Sequence, residues 1–300
     1  MSNRIGSIWM DGEYLPYDGA RIHILNHGLH YGTSVFEGIR FYDTDRGLAI
    51  FRLDEHVDRL FFSAATMSME VPYAPEDIRK VIIELVLKNG FPEGYIRPIA
   101  YYGEKMGLLP DCADTHVSIA CWPWGKYLQN ASVSVHTSGF MRIHPQSSVM
   151  EAKISGHYAN SAMASLEAKK AGFDEALFLD YEGHVAEGPG ENIFFVREKE
   201  LYTPKKGSIL PGITRASVLK IAEDLGYAVH ETDIGRDDVA TFDEAFFVGT
   251  AVEVHAIGRI DTAEFRLSEN GVTGTIRERY QAAVHGKLPE YADWLTICRK

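Results

Sequence analysis

The spacing of apolar residues predicts a chain of short strands and amphipathic helices. Residues 54–67 and 75–90 place apolar side chains every three or four positions, which is the period of a helix with one buried face. Earlier in the chain, Asp11 and Gly12 separate two short apolar runs, an arrangement typical of a β-hairpin. The first half therefore combines a hairpin and further strands with two helices.

Two more strands are predicted after these helices, over residues 94–103 and 116–122. Pro98 lies within the former, and proline cannot donate a hydrogen bond to a neighbouring strand. We therefore expect this strand to lie at a sheet edge or to contain a bulge.

Strands and helices alternate in the second half of the chain. Strand-like apolar runs occupy residues 132–137, 175–180, 192–198, 201–204, 244–249 and 252–260. Helical spacing recurs over residues 160–172, 214–226 and 275–286. No internal repeat and no low-complexity tract is visible. The pattern predicts an α+β, or mixed α/β, fold in two domains.

A stretch rich in proline, glycine and polar residues, 122–132, separates the two halves. Its side chains Trp122, Trp124 and Tyr127 are bulky for a solvated linker, so we expect them to line a site. We predict a small N-terminal domain over 1–121, an interdomain loop over 122–132, and a larger domain over 133–300.

Composition restricts the classes of function that remain. The 300 residues are 45% hydrophobic and 24% charged, which is ordinary for a globular protein. A net charge of −12, with no basic block, argues against a nucleic-acid partner. No secretory signal or membrane-spanning run is visible, and the three cysteines form no CxxC pair. We expect a soluble, cytoplasmic protein with no membrane partner.

Two side chains are candidates for chemistry. Lys153 stands among small and aromatic residues just before a predicted helix. Such a lysine is either an ordinary solvated residue or an amine nucleophile that forms a Schiff base. Glu187 lies in a glycine-rich turn before a strand, where it is either a surface acid or a partner for a cofactor's ring nitrogen.

Two turns are candidates for binding an anion. Gly212 leads directly into a helix that begins with Ile213 and Thr214, and the N–H groups of a helix start attract negative charge. The alternative there is a plain capped helix. Gly249 and Thr250 form the second turn. An amine, a carboxylate and two anion-binding turns are together what a pyridoxal phosphate site requires.

Six segments of the chain resemble those of the branched-chain amino acid aminotransferases, which are fold-type IV pyridoxal phosphate enzymes. In order along the chain they are HGLHYGTSVFEGIR, YIRPIAYYGEKMG, AKISGHYANS, AEGPGENIFFV, LPGITR and GTAVEV. The resemblance covers about residues 8 to 285. It implies amino transfer from L-leucine, L-isoleucine or L-valine to 2-oxoglutarate. It also implies a small N-terminal α+β domain and a larger C-terminal domain around a β-barrel-like core.

The resemblance implies which residues bind pyridoxal 5′-phosphate. Lys153 matches the catalytic lysine, which also carries a proton between substrate and cofactor. Glu187 matches the partner of the pyridine nitrogen. The other implied cofactor contacts are Arg59, Tyr158, Ile213, Thr214, Gly249 and Thr250.

Substrate contacts are implied in the same way. They are Tyr31, Phe36, Gly38, Arg40, Tyr95, Arg97, Leu108, Trp124, Tyr127, Thr250 and Ala251. Arg97 matches an arginine that recognises a substrate carboxylate. Tyr31 and Leu108 match residues that a neighbouring subunit contributes, so the resemblance implies at least a homodimer.

Some positions depart from the common family pattern. Ser155 and His157 stand where many members have glycine and asparagine, Pro189 stands where alanine is common, and Leu108 replaces a frequent valine. These departures bear on substrate preference rather than on the reaction. The alternatives are related enzymes acting on D-amino acids, (R)-amines or aminodeoxychorismate, and a non-catalytic ligand-binding relative.

Three histidines, His23, His27 and His30, lie close together in the sequence. No nearby cysteine or carboxylate cluster completes a metal site around them. We therefore predict that the protein binds no metal and that these histidines make structural hydrogen bonds.

Overall fold

The computed structural model describes residues 6–125 and 130–299. Their contacts define two compact units. The first contains the described residues of Met1–Gly125, Ala152–His157 and Ala283–Lys300, and the second those of Lys126–Glu151 and Tyr158–Ala282. The first unit thus includes two segments, Ala152–His157 and the described part of Ala283–Lys300, that were predicted to lie in the domain over 133–300. Whether 1–121 and 133–300 behave as separate domains stays a prediction.

An antiparallel sheet forms the first unit. Its strands are β1 (Ser7–Met10), β2 (Glu13–Pro16), β3 (Ser34–Phe36), β4 (Ile39–Tyr42), β5 (Ala49–Phe51), β6 (Gly94–Tyr102), β7 (Thr115–Trp122) and β16 (Leu295–Ile297). Their order is β16-β5-β4-β6-β7-β1-β2, and β3 also pairs with β6. Asp11 and Gly12 both have positive φ, 48° and 97°, and close the predicted hairpin between β1 and β2.

Three helices accompany this sheet: α1 (His27–Tyr31), α2 (Leu53–Thr66) and α3 (Pro75–Asn89). The apolar positions that predicted α2 and α3 are the ones buried in the core. Leu60 of α2 and Ile82 of α3 have no exposed surface and belong to one cluster with Ile96 and Ile119 of the strands. Burial of this apolar face drives the helices onto the sheet.

The expectation that Pro98 marks an edge or bulged strand is wrong, because β6 lies between β4 and β7. Strands β3 and β4 pair with different ends of β6, over Ile99–Tyr101 and Gly94–Ile96. Pro98 falls opposite the interruption between them, where its carbonyl accepts the Glu37 N–H at 2.9 Å. On the side of β6 that faces β3 and β4, no carbonyl of the described residues therefore requires the backbone N–H that Pro98 lacks.

A mixed sheet forms the second unit. Its strands are β8 (Ser132–Thr137), β9 (Glu175–Leu177), β10 (Asn192–Arg197), β11 (Glu200–Pro204), β12 (Val229–Thr232), β13 (Glu244–Gly249), β14 (Glu253–Ile260) and β15 (Ala263–Glu264). The order is β12-β11-β10-β13-β14-β8-β9, with β15 on β14. The remaining helices are α4 (Tyr158–Lys170), α5 (Ile213–Asp224) and α6 (Val272–Val284).

The core of the second unit is rich in aromatic and branched side chains from the central strands. Ile193 and Phe195 of β10 pack with Phe247 of β13 and Ile257 of β14, all without exposed surface. Among the helices that the structure describes, none is both long and apolar enough to cross a bilayer.

Candidate active site

The residues predicted for the site fall into two sets, one within each compact unit. The first unit holds Tyr31, Phe36, Gly38, Arg40, Arg59, Tyr95, Arg97, Leu108, Trp124 and Lys153. The second unit holds Tyr158, Glu187, Ile213, Thr214, Gly249, Thr250 and Ala251. Tyr127 lies outside the described residues.

The backbone of Lys153 is fixed between β3 and α2. Its N–H donates to Ser63 Oγ at 2.9 Å, and its carbonyl accepts the Phe36 N–H at 3.1 Å. The Lys153 amine lies 5.1 Å from the centroid of the Phe36 ring, and the residue is only partly exposed. A lysine anchored in this way keeps its amine against an aromatic surface instead of extending into solvent.

The residues after Lys153 pass close to the turn that precedes β3. Gly156 donates its N–H to the Gly32 carbonyl at 3.1 Å, and a Cβ at Gly32, where φ is +68°, would lie 2.8 Å from Gly156 Cα. The Ser34 hydroxyl lies 2.7 Å from the hydroxyl of Ser155. Ser155, one of the departures from the family pattern, thus helps to hold the lysine segment.

A buried ionic network lies on the α2 side of this segment, and sequence reasoning missed two of its three members. Glu37 has no exposed surface and pairs with Arg59, whose Nε lies 2.5 Å from Glu37 Oε1 and whose Nη2 lies 2.9 Å from Oε2. His56 Nδ1 lies 2.7 Å from Glu37 Oε2. Arg59, predicted to bind phosphate, is therefore held by two nitrogens on a carboxylate of its own unit.

The protonation states in this network follow from burial and charge. Burial alone would raise the pKa of Glu37, but the charge of Arg59 and the hydrogen bonds from Arg59 and His56 hold this pKa well below its usual range. Burial lowers the pKa of His56. At pH 7 the network is therefore an ionised Glu37 between charged Arg59 and a neutral His56 that donates its Nδ1–H.

Glu37→Gln is expected to lower the free energy of unfolding of the protein by about 3 kcal/mol at pH 7, because the partly buried Arg59 loses its carboxylate. The folded-state pKa lies below the unfolded value of about 4.3, so this stabilisation is complete above that pH. Below it, the difference between wild type and variant shrinks by up to about 1.4 kcal/mol per pH unit. Urea unfolding of the wild type and of Glu37→Gln at pH 7, 4 and 3 measures this difference in the free energy of unfolding.

Glu55→Gln is the matched control, because Glu55 is an exposed acid of α2 that pairs with Arg52. Its effect is expected to stay within about 1 kcal/mol. Equal losses for the two variants at pH 7 would contradict the assigned role of Glu37.

Aromatic rings and an arginine cluster around β6, with contributions from β3, the end of β7 and the segment after it. The Tyr95 ring centroid lies 5.3 Å from that of Trp122 and 5.2 Å from that of Trp124. Arg97 lies with its guanidinium carbon 4.6 Å from the Phe36 ring centroid. Its Nη2 donates to the Tyr95 hydroxyl at 3.2 Å, and its Nε is buried with no hydrogen-bond partner among the described residues.

The structure also explains the residue types at two further predicted positions of this cluster, Gly38 and Arg40. A Cβ at Gly38 would lie 1.9 Å from the Tyr95 hydroxyl oxygen and 2.7 Å from Tyr95 Cζ, so a larger residue there would displace the Tyr95 ring. Arg40 Nη2 donates to the Trp124 carbonyl at 3.1 Å and holds the segment after β7. The structure therefore brings together Phe36, Gly38, Arg40, Tyr95, Arg97 and Trp124.

Tyr31 and Leu108 lie at the surface of the same unit. The Tyr31 hydroxyl accepts the Gly107 N–H at 3.3 Å, and Leu108 is 84% exposed. His27 lies beneath them, with Nδ1 2.5 Å from Thr33 Oγ1 and Nε2 2.8 Å from the Gly107 carbonyl. These bonds give His27 the structural role that was expected of the histidines.

Glu187 occupies a buried position in the second unit, where Arg142, Asn192 and Leu210 are among the donors to its carboxylate. Arg142 Nε lies 2.7 Å from Glu187 Oε1, and both side chains are only 5% exposed. Asn192 Nδ2 donates to Oε2 at 3.1 Å, and the Leu210 N–H does so at 3.1 Å. Arg142 and Asn192 were missed, since Arg142 lies in a loop 45 positions away and nothing in the sequence pairs it with the acid.

The predicted anion-binding turns lie around the same strand end. Gly212 precedes α5 with φ −65° and ψ 138° and offers no side-chain cap, so the helix start keeps N–H groups for an anion. A Cβ at Gly212 would lie 2.2 Å from Asn192 Oδ1. Because Asn192 pairs with Val248, the turn of Gly249 and Thr250 follows beside it.

Within the second unit, a charged carboxylate and an uncapped helix start therefore meet around the beginning of β10. This donor set fits a phosphorylated pyridine. The ionised Glu187 suits a ring N–H, and the α5 start with the Gly249 turn suits a phosphate. The individual contacts predicted for Tyr158, Thr214, Thr250 and Ala251 remain predictions.

Among the described residues of the second unit, one group of potential metal ligands occurs elsewhere. Asp180, Glu182 and His184 place ligand-type atoms within 4.8 Å of one another. Glu182 is exposed, and such carboxylates commonly occur without an ion. The expected absence of a metal remains a prediction.

Comparisons with known proteins agree with this donor set. The family model described as amino-transferase class IV matches residues 34–260. A branched-chain-amino-acid aminotransferase of Pseudomonas aeruginosa is 44% identical, over 100% of this chain and 99% of its own length. The Escherichia coli K12 protein of that name is 36% identical, over 96% of each chain.

Solved structures of the same kind superpose closely. A T.th. branched-chain amino acid aminotransferase complexed with N-(5′-phosphopyridoxyl)-L-glutamate has a TM-score of 0.95 and 46% identity, with 98% of this chain and 99% of that one covered. The branched-chain aminotransferase of Thermoproteus uzoniensis with norvaline has a TM-score of 0.94 and 41% identity, covering 98% and 100%.

Proposed function

This chain belongs to the amino-transferase class IV family, and we propose that it is a branched-chain amino acid aminotransferase that uses pyridoxal 5′-phosphate. The reaction transfers the amino group of L-leucine, L-isoleucine or L-valine to 2-oxoglutarate, giving the branched 2-oxo acid and L-glutamate. The observation that carries the proposal is 44% identity to a protein of that name over the full chain. The buried Glu187 and the anchored Lys153 supply the chemistry it needs.

Each polar group of the two sets receives one task. Pyridoxal phosphate supplies an aldehyde that binds the substrate amine and a ring that accepts electrons from the substrate's Cα–H bond. Lys153 would hold the cofactor aldehyde through its amine, and that amine, once the substrate amine has displaced it, would accept the proton from Cα. Glu187 keeps a proton on the ring nitrogen. Tyr158 would contact the phenolic oxygen of the cofactor.

The phosphate contacts follow from the anion-binding features. The α5 start provides the N–H groups of Ile213 and Thr214, and the end of β13 with the residue after it provides Gly249 and Thr250. Arg59 adds a positive charge whose orientation Glu37 fixes. The backbone donors and the one arginine would hold the phosphate and so position the ring, without taking part in bond breaking.

The substrate set explains how one enzyme can accept an apolar and an acidic side chain. Phe36, Tyr95 and Trp124 provide apolar surface for a branched chain. The other residues of the implied substrate set are Tyr31, Gly38, Arg40, Leu108, Tyr127, Thr250 and Ala251. Arg97, placed against aromatic rings, provides a charge for the second carboxylate of glutamate.

Arg97→Met is expected to raise KM for 2-oxoglutarate by about 10-fold to 100-fold, because a charge-assisted hydrogen bond is lost. The KM for L-leucine is expected to change much less, because its side chain carries no charge. Initial rates with each substrate varied in turn measure both constants. Equal increases for the two substrates would contradict this role, and Arg97→Lys should restore part of the 2-oxoglutarate affinity.

We also propose that the protein assembles at least as a homodimer in the cytoplasm. Large apolar side chains are exposed on the first unit, at Ile24, Leu29, Met106, Leu108 and Leu109 with 68%, 57%, 50%, 84% and 68% of their surface. An exposed set of this kind favours coverage by another chain. Sedimentation equilibrium should give at least twice the 33.6 kDa chain mass. The three cysteines form no disulfide, which suits a reducing compartment.

A substrate panel tests the function. The protein reconstituted with pyridoxal phosphate should transaminate L-leucine, L-isoleucine and L-valine with 2-oxoglutarate and should yield L-glutamate. Preference for D-amino acids or (R)-amines, or pyruvate release from aminodeoxychorismate, would instead assign it to a related enzyme. A preparation that stays colourless with the cofactor would indicate a non-catalytic ligand-binding protein.

A further inference from the structure

We propose that Arg142 is a positioning residue that keeps Glu187 ionised, so that the proton between this carboxylate and the cofactor stays on the pyridine nitrogen. The inference rests on the proposed function, since it concerns the same cofactor. It adds a residue that neither the sequence pattern nor the resemblance assigned.

The position of Arg142 is fixed from several sides. Its backbone N–H donates to the Leu179 carbonyl at 2.8 Å, and its Nη1 donates to Asn160 Oδ1 at 3.4 Å. Its guanidinium carbon lies 5.6 Å from the centroid of the Phe178 ring, a side chain without exposed surface. The guanidinium is therefore held with Nε on Glu187, in a surrounding where water screens the charge little.

The donors around Glu187 favour one protonation state. Arg142, Asn192 and Leu210 offer only N–H groups to its two oxygens. A carboxylate accepts such bonds when ionised, whereas a protonated carboxyl would direct its own O–H at one of these donors. Arginine keeps its charge at any relevant pH, so this preference does not titrate away.

The consequence concerns a single proton shared by two atoms. An adjacent positive charge lowers the proton affinity of a carboxylate, typically by about 1–3 pKa units. With Arg142 present, the carboxylate is the weaker base and the proton stays on the ring nitrogen, where it draws electrons from the reacting bond. Without Arg142, the same proton moves toward Glu187, and the neutral ring stabilises less negative charge.

Nitrogen-15 NMR of protein loaded with ring-labelled pyridoxal phosphate tests this directly. The wild type should show a protonated ring nitrogen. In Arg142→Met, the ratio of protonated to neutral nitrogen should fall by at least about 10-fold, with a parallel drop in kcat. Arg142→Lys, which retains a charge, should restore most of the protonated signal.

Arg215→Met is the matched control, since Arg215 is another buried arginine of the second unit, paired with Glu231 at 2.7 Å. It should destabilise the protein without changing the nitrogen signal. A ring nitrogen as protonated in Arg142→Met as in wild type would overturn the inference while leaving the proposed function intact. Absence of transamination by the wild type would overturn the proposed function itself.

Arg142→Gln takes the place of Arg142→Met if the latter does not fold, because glutamine keeps an N–H donor but carries no charge. In Arg142→Gln, the ratio of protonated to neutral pyridine nitrogen in the bound cofactor should be about 10-fold lower than in Arg142→Lys. Equal protonation in Arg142→Gln and Arg142→Lys would overturn the inference, since the charge of residue 142 would then have no effect on the proton.

Discussion

Lys153→Ala is expected to lower the rate of transamination by at least about 10⁴-fold, because both the covalent attachment and the proton carrier are lost. The fold should persist. The backbone N–H and carbonyl of residue 153, which bond to Ser63 and Phe36, are unaffected by the side chain. Steady-state rates with L-leucine and 2-oxoglutarate measure the loss, and the visible absorption of the bound cofactor should change with it.

Lys169→Ala is the matched control for this loss. Lys169 is an exposed lysine in the last turn of α4, so its removal should leave the rate within about twofold of wild type. Transamination by Lys153→Ala at the wild-type rate would mean that another amine performs both tasks.

Glu187→Gln is expected to reduce kcat by about 10²-fold to 10³-fold, because a neutral amide cannot hold the proton on the ring nitrogen. The substitution also leaves Arg142 buried without its carboxylate, which should lower the free energy of unfolding by about 3 kcal/mol. Single-turnover kinetics with L-valine separates the chemical step from cofactor binding, and urea unfolding of the apoprotein gives the stability term.

Glu191→Gln provides the comparison, since Glu191 is a second buried acid of the same loop. Its Oε2 accepts the Gly190 N–H at 3.0 Å, and a glutamine oxygen can accept the same bond. Its kcat should therefore stay within about 10-fold of wild type. Equal losses of kcat in the two variants would indicate that the loop, and not the charge of Glu187, matters.

Much of the fold follows from local periodicity. The buried stripes of α2 and α3 agree with the helical spacing that predicted them, and the hairpin of β1 and β2 closes at Asp11 and Gly12. Strand β16 was not predicted, because three residues carry too little pattern and its pairing with β5 depends on a partner far along the chain. The prediction from Pro98 failed for a similar reason. A proline is tolerated in the middle of β6 only because β3 ends and β4 begins opposite it, which the local sequence does not show.

Some residues of the site were predicted from the sequence, and others were found only in the folded structure. Lys153, Glu187 and the start of α5 could be proposed from residue type and neighbouring glycines, and the resemblance then supplied their roles. Glu37, His56 and Arg142 could not. Each acts through a partner 19 or more positions away, and burial, which makes the pairing strong, is a property of the folded chain.

Borohydride reduction of the protein loaded with pyridoxal phosphate, followed by peptide mapping, tests the central assignment most directly. The reagent converts the carbon–nitrogen double bond between cofactor and lysine into a stable single bond. A pyridoxyl label is expected on Lys153 alone, in the peptide that contains AKISGHYANS. A label on any other lysine, with Lys153 unmodified, would contradict it.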